Sequence, residues 1–138
     1  MTKTFVLDSF AVLALLGREP GSQEVADLLR KAQEEEIRAL MTWVNAGEVA
    51  YIVERRWGVE GLYSALATME ATALEIVSVE RELALMAAHI KAEHAIAYAD
   101  AFAAALAQHC AAKLVTGDPE FKLLEKTLDI HWLPQREP

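Results

Sequence analysis

A single cysteine, Cys110, stands in the 138-residue chain, so no internal disulfide can form, and its place in an alanine-rich stretch predicts a plain core residue. The four histidines, His89, His94, His109 and His131, show no zinc-ligand spacing with a second thiolate, which argues against a structural zinc site. Long apolar runs are also missing. The most apolar stretch, 95–107, is interrupted by Asp100, and no window offers the roughly 18 unbroken apolar residues of a membrane span. The opening Met1-Thr2-Lys3-Thr4 lacks the ordered charged and apolar regions of a secretory signal, so a soluble, cytoplasmic protein without membrane contact is expected. Basic residues are few: 13 Lys and Arg against 21 Asp and Glu give a net charge of −8, which argues against coating nucleic acid by neutralising many phosphates. It does not exclude an enzyme that grips a short stretch of RNA through cations held on carboxylates.

What is there is ample core material. Hydrophobic residues make up 54% of the chain, the composition of a globular protein rather than a disordered one, and the length fits one unit over 1–138. No internal repeat, low-complexity tract or linker interrupts it.

Thr4 to Leu7 is a short strand pattern ending at Asp8, with Ser9 placed to cap a helix running to Leu16. Ser22 is placed to cap a second helix with Val25, Leu28, Leu29 and Ala32 on one stripe. A second strand at Arg38 to Met41 leads into a helix capped by Thr42, running from Trp43 to about Trp57 and stopped by Gly58; Val59 to Met69 forms another. Leu74 to Val79 reads as strand and Glu80 to His94 as helix, with Leu83, Met86, Ala87 and Ile90 inward. An alanine-rich helix over Asp100 to Ala112, a strand at Leu114 and Val115, a Thr116-Gly117-Asp118-Pro119 turn and a last strand at Ile130 to Leu133 complete the pattern. Short strands alternating with helices predict an α/β fold: a three-layer α/β/α sandwich around a mainly parallel sheet of about five strands.

Four carboxylates need an explanation. In open α/β sheets ligands gather beyond the carboxyl ends of the strands, where Asp8 and Asp118 both fall, although each is equally suited to turn or cap formation. Glu48 has Val44, Tyr51 and Ile52 as helical neighbours, which puts it on an apolar stripe, where an ionised group needs a cation, hydrogen bonds or a shifted pKa. A salt bridge to Arg55 or Arg56 is the structural alternative. Asp100 lies among Ile96, Ala103, Ala104 and Ala107; its structural alternative is an acid in a first helical turn, favoured by the macrodipole. Gathered together, four such acids would repel one another unless they shared a divalent cation, and an all-oxygen donor set favours Mg²⁺ or Mn²⁺.

These positions resemble the PIN-domain family, and especially the VapC toxins of bacterial and archaeal toxin–antitoxin pairs, in a likeness that runs nearly end to end. Phe5-Val6-Leu7-Asp8-Ser9 looks like the family's first strand and first acid. Val44-Asn45-Ala46-Gly47-Glu48-Val49 is similar to its glutamate segment, Tyr98-Ala99-Asp100-Ala101-Phe102 to its third acidic motif, and Leu114-Val115-Thr116-Gly117-Asp118-Pro119-Glu120-Phe121 to its fourth, the most specific of the set. The resemblance implies a Mg²⁺- or Mn²⁺-dependent endoribonuclease, with one or two ions on Asp8, Glu48, Asp100 and Asp118 activating water for attack on an RNA phosphodiester. Ser9, Asn45 and Thr116 take supporting roles. A small antitoxin partner and a homodimer are implied too, with Trp43, Trp57 and Tyr63 as contact candidates unless, as expected for at least two of them, they are core.

Other readings fit less well. A response-regulator receiver needs adjacent acids after the first strand and a later lysine, whereas Ser9-Phe10 follow Asp8 and Pro119 follows Asp118. An Asp-nucleophile phosphatase needs a second Asp at position 10, which is Phe10. A catalytically inert PIN-like scaffold or interaction module, and another metal-dependent phosphodiesterase, stay open as alternatives.

Overall fold

A computed structural model describes residues 2–134; Met1 and 135–138, the ends of the unit expected over 1–138, lie outside the described residues. Five strands form one sheet: β1 (Lys3–Leu7), β2 (Ile37–Thr42), β3 (Leu74–Val77), β4 (Lys113–Thr116) and β5 (Ile130–Trp132). Their order is β3-β2-β1-β4-β5 and every pairing is parallel. The helices are α1 (Ser9–Leu16), α2 (Ser22–Gln33), α3 (Trp43–Ala71), α4 (Arg81–Glu93) and α5 (Tyr98–His109), with a 3-10 segment at Pro119–Leu124.

A parallel sheet joined by helical crossovers must bury both faces, and the strand residues divide accordingly. Val6, Leu40 and Leu114 pack with Leu83, Ala87 and Ile90 of α4 and Phe102 and Leu106 of α5. Phe5, Leu7, Ala39, Met41 and Val115 pack on the other face with residues of α1, α2 and α3, among them Val12, Leu29 and Val53. The period-2 alternation of a strand thus yields the expected three layers. Seven buried residues of α5, Ala101 to Ala107, line this helix, and its small side chains let it lie close against both the sheet and α4.

Several local expectations change. Asp8, not Ser9, is the N-cap of α1, its carboxylate accepting from the Ala11 N–H, and Gly21 rather than Ser22 precedes α2, with a left-handed φ of 93°. Thr42 caps α3 as expected, and Gly58 interrupts it at φ 73°, ψ −176°, so two helical halves run on across a kink instead of separating. α5 starts at Tyr98, two residues earlier than the sequence pattern, and ends at His109. Cys110 caps its end half-buried, packed against the core rather than inside it. Trp43, Trp57 and Tyr63 are 53%, 48% and 67% exposed, so none of the three is core. Among the described residues no helix is long and apolar enough to cross a membrane.

Candidate metal centre

Strand order places the centre. From β1 the chain builds outward through β2 and β3, then returns to the other side of β1 for β4 and β5, so the direction of winding reverses between β1 and β4. Crevices form beyond the carboxyl ends of strands at such a switch point. Asp8 follows β1 and Asp118 lies two residues beyond β4.

The register brings the first partner to Asp8. Leu7 pairs with Val115, so one step on Asp8 stands opposite Thr116. The Thr116 hydroxyl donates to Oδ2 of Asp8 at 2.5 Å, while Oδ1 accepts the Ala11 N–H at 3.0 Å. Thr116 Oγ1 also accepts the Asp118 N–H at 3.0 Å, which fixes the turn that carries the fourth acid. That turn is tight: a side chain at Gly117 would meet the Phe10 ring at 2.3 Å, so only glycine fits between Thr116 and Asp118 as they stand. Asp118 in turn accepts the Glu120 N–H at 2.9 Å and caps the 3-10 segment. Capping and membership of the acidic group, the two readings open for Asp8 and Asp118, therefore describe the same side chains.

A second network joins the helix starts. The Asn45 N–H donates to Thr42 Oγ1 at 3.0 Å and the Thr42 hydroxyl donates to Asn45 Oδ1 at 2.6 Å. Asn45 Nδ2 donates to the Ala99 carbonyl at 3.0 Å, and the Ser9 hydroxyl to the Asn45 carbonyl at 3.2 Å. Buried polar groups must be satisfied internally, and here their satisfaction ties α1, α3 and α5 together one residue before Asp100 and one turn before Glu48. Ser9 and Asn45 thus meet backbone groups of neighbouring helices.

Glu48 departs from its expected setting. The buried stripe of α3 is Asn45, Ala46, Val49 and Val53, and Glu48 sits half-buried at its margin, with Tyr51 exposed. Neither arginine pairs with it: Arg56 reaches Glu19 at 3.8 Å and Arg55 lies over the Tyr51 ring at 5.0 Å. Asp100 is an acid in the first turn of α5 and is buried.

The acids sense one another. Asp8, 1% exposed, has its pKa raised to about 7, chiefly by burial and further by Asp118 and Glu48, against the lowering effect of its Thr116 and Ala11 hydrogen bonds. Asp100 is pushed up to about 8, again chiefly by burial, then by the charges of Asp118, Asp8, Glu120 and Glu48. The structure thus brings the four predicted acids into one electrostatic group, with no ion pair to any of them among the described residues. It also adds one the sequence reading left unassigned. Oxygens of Asp100, Asp118 and Glu120 lie within 4.8 Å of one another. The signal for Glu120 was its spacing, two residues past Asp118 on a tight turn, which returns a side chain toward the same edge.

Carboxylates crowded together, two of them buried and none ion-paired among the described residues, fit a site for a hard divalent ion. The donors are all oxygen, and a bound cation would favour the ionised forms that burial and mutual repulsion disfavour.

No curated protein sequence matches the chain. Solved structures do. The VapBC2 of Rickettsia felis, bound to a DNA fragment from their promoter, contains a chain similar at TM-score 0.77 and 18% identity, covering 95% of this chain and 99% of that one. VapC20 of Mycobacterium tuberculosis, a sarcin-ricin loop cleaving toxin, is similar at TM-score 0.72 and 16% identity over 94% and 99% of the two chains. DNA-bound VapBC of Salmonella typhimurium gives 0.72 and 20% over 95% and 98%. Residues 5–126 match the PIN domain, spanning β1 through the 3-10 segment and with them every acid of the centre, and the chain belongs to the PIN-domain family.

Proposed function

We propose that this protein is a divalent-metal-dependent endoribonuclease, the toxin of a VapBC-type pair, with Asp8, Glu48, Asp100 and Asp118 holding one or two Mg²⁺ or Mn²⁺ ions. The observation that carries the reading is the convergence of mutually repelling carboxylates, Asp8 and Asp100 buried among them, at the switch point of a parallel sheet, with no ion pair to any of the four among the described residues. Membership of the PIN-domain family and the likeness to VapC and VapBC structures support it.

A divalent cation on these acids supplies a positive charge beside the scissile phosphodiester and lowers the pKa of water there. The chain's own residues perform the rest. Thr116 and the Ala11 N–H hold Asp8 by one bond to each oxygen, and each oxygen keeps a further lone pair for a cation. The Asn45 bridge to Ala99 keeps the starts of α3 and α5 in register, so Glu48 and Asp100 arrive together. Thr116 acts on two acids at once and Ser9 fastens α1 to α3.

An antitoxin partner and a homodimer belong to the same proposal. The exposed Trp43, Trp57 and Tyr63 of α3 offer the aromatic contact area that interfaces favour. Expression without an antitoxin should arrest growth.

The test is incubation of total cellular RNA with purified, antitoxin-free protein in Mg²⁺ or Mn²⁺, beside EDTA and Asp100→Asn controls. Discrete products that require metal and vanish in the variant are expected. Intact RNA in every metal would leave an inert PIN-like scaffold as the reading.

A further inference from the structure

Helix α5 opens on Ala97, an N-cap with no side-chain oxygen, which makes Tyr98 the first helical residue and Asp100 the third. An acid at that third position often reaches back to the N-cap N–H, completing a capping box. In this protein the N–H is already taken. It donates to Oε1 of Glu120 at 2.5 Å, across 23 positions of sequence. Glu120 is anchored at its other end as well, because its own N–H donates to Oδ1 of Asp118 at 2.9 Å. One residue therefore joins the helix that carries Asp100 to the turn that carries Asp118, and oxygens of all three lie within 4.8 Å of one another.

We infer that Glu120 is a positioning residue: by supplying the acceptor for the Ala97 N–H it releases Asp100 from local capping and holds the Asp100 and Asp118 carboxylates at cation-binding separation. The inference rests on the metal-dependent reading above. Its physical content is that Glu120 acts through its acceptor oxygen, with its charge a secondary contribution to the group. Without that acceptor the Ala97 N–H is open to Asp100, the acid at the third helical position, and pairing with it would draw Asp100 out of the group.

Glu120→Ala removes the acceptor; Glu120→Gln keeps an acceptor oxygen on the same skeleton and drops the charge. Mn²⁺ affinity is read by calorimetric titration and the Ala97 amide by hydrogen exchange, with a melting curve confirming that each variant is folded. Glu120→Ala is expected to bind Mn²⁺ roughly tenfold or more weakly, the range seen when groups that orient metal ligands are removed, and to exchange faster at Ala97. Glu120→Gln should keep the wild-type protection at Ala97 and lose clearly less Mn²⁺ affinity than Glu120→Ala. Equal loss in both variants with Ala97 still protected in Glu120→Gln would make Glu120 a charged ligand and overturn the inference, as would undiminished binding in Glu120→Ala. If the wild type binds no Mn²⁺, the metal-dependent reading fails; the Ala97 amide then decides the clamp, which stands if only Glu120→Ala loses protection and falls if all three proteins exchange alike.

Discussion

Thr116 is the residue on which most of the geometry turns, since its hydroxyl donates to Asp8 and accepts from the Asp118 backbone while fully buried. Thr116→Val keeps the shape and removes both bonds. Leaving buried partners unsatisfied costs about 1–3 kcal/mol, measurable by chemical denaturation, and Thr116→Ser should recover most of it. The same variant loses the bond that lowers the Asp8 pKa, so in EDTA the Asp8 carboxyl, followed by NMR, should titrate above its wild-type position near 7. A variant that titrates at or below the wild-type value would show that the bond does not act on Asp8. At this scale the sequence disclosed residue types and their places at strand ends. It did not disclose that Asp8 would cap α1 itself, because Asp8 and Ser9 are both competent caps and only the backbone at the strand exit selects between them. Glu120 went unassigned for a similar reason: an acid after a proline in a turn reads as solvated until a distant N–H is found on it.

Among the elements, α3 shows how a local signal can be right while its consequence differs. Glycine at position 58 predicts a helix stop, and its backbone does leave the helical region, at φ 73° and ψ −176°. That conformation is essentially confined to glycine, and a Cβ there would be strained by about 1–3 kcal/mol although nothing within 4 Å would obstruct it. Gly58→Ala should therefore lower the melting temperature through backbone strain alone; an unchanged melting temperature would mean that the kink relaxes freely. The two halves continue as one element because Ala65 and Met69 after the kink join the same core as Val49 and Val53 before it. Helical periodicity in 43–57 located the stripe but placed Glu48 on it; the helix is rotated so that Asn45, Ala46, Val49 and Val53 face inward. The rotation is set by the Asn45 hydrogen bonds to Thr42 and Ala99, which periodicity does not contain. The aromatic residues Trp43, Trp57 and Tyr63 are exposed, against the usual preference of large apolar side chains for the core.

For the whole molecule the raised carboxyls make a statement about stability. The folded protein holds protons on Asp8 and Asp100 up to about pH 7 and 8, whereas in the unfolded chain both ionise near 3.8. Between those limits the folded state binds more protons than the unfolded, so stability is greatest below about pH 4 as far as these groups are concerned and falls as pH rises to about 8, at roughly 1.4 kcal/mol per unit for each fully titrating group. Melting curves in EDTA should show Asp100→Asn more stable than the wild type at pH 9, with the gap closing at pH 4. Adding Mn²⁺ should reverse the order at pH 9, because a ligand that binds only the folded state stabilises it in proportion to its affinity. A wild type that melts above Asp100→Asn in EDTA at pH 9 would contradict the crowding argument for that acid.

The alternation of short strands with helices determined a parallel sheet covered on both faces, because no other layering buries continuous apolar strands. The types and order of Asp8, Glu48, Asp100 and Asp118 determined that any shared ligand would be a hard cation, since they offer only oxygen. Their meeting was decided by tertiary structure. Strand order put β1 beside β4, register set Asp8 opposite Thr116, and two long-range hydrogen bonds, Thr116 to Asp8 and Asn45 to Ala99, fixed the helix starts. Each of these pairs groups tens of positions apart in the chain, where composition and local periodicity carry no information about which will touch.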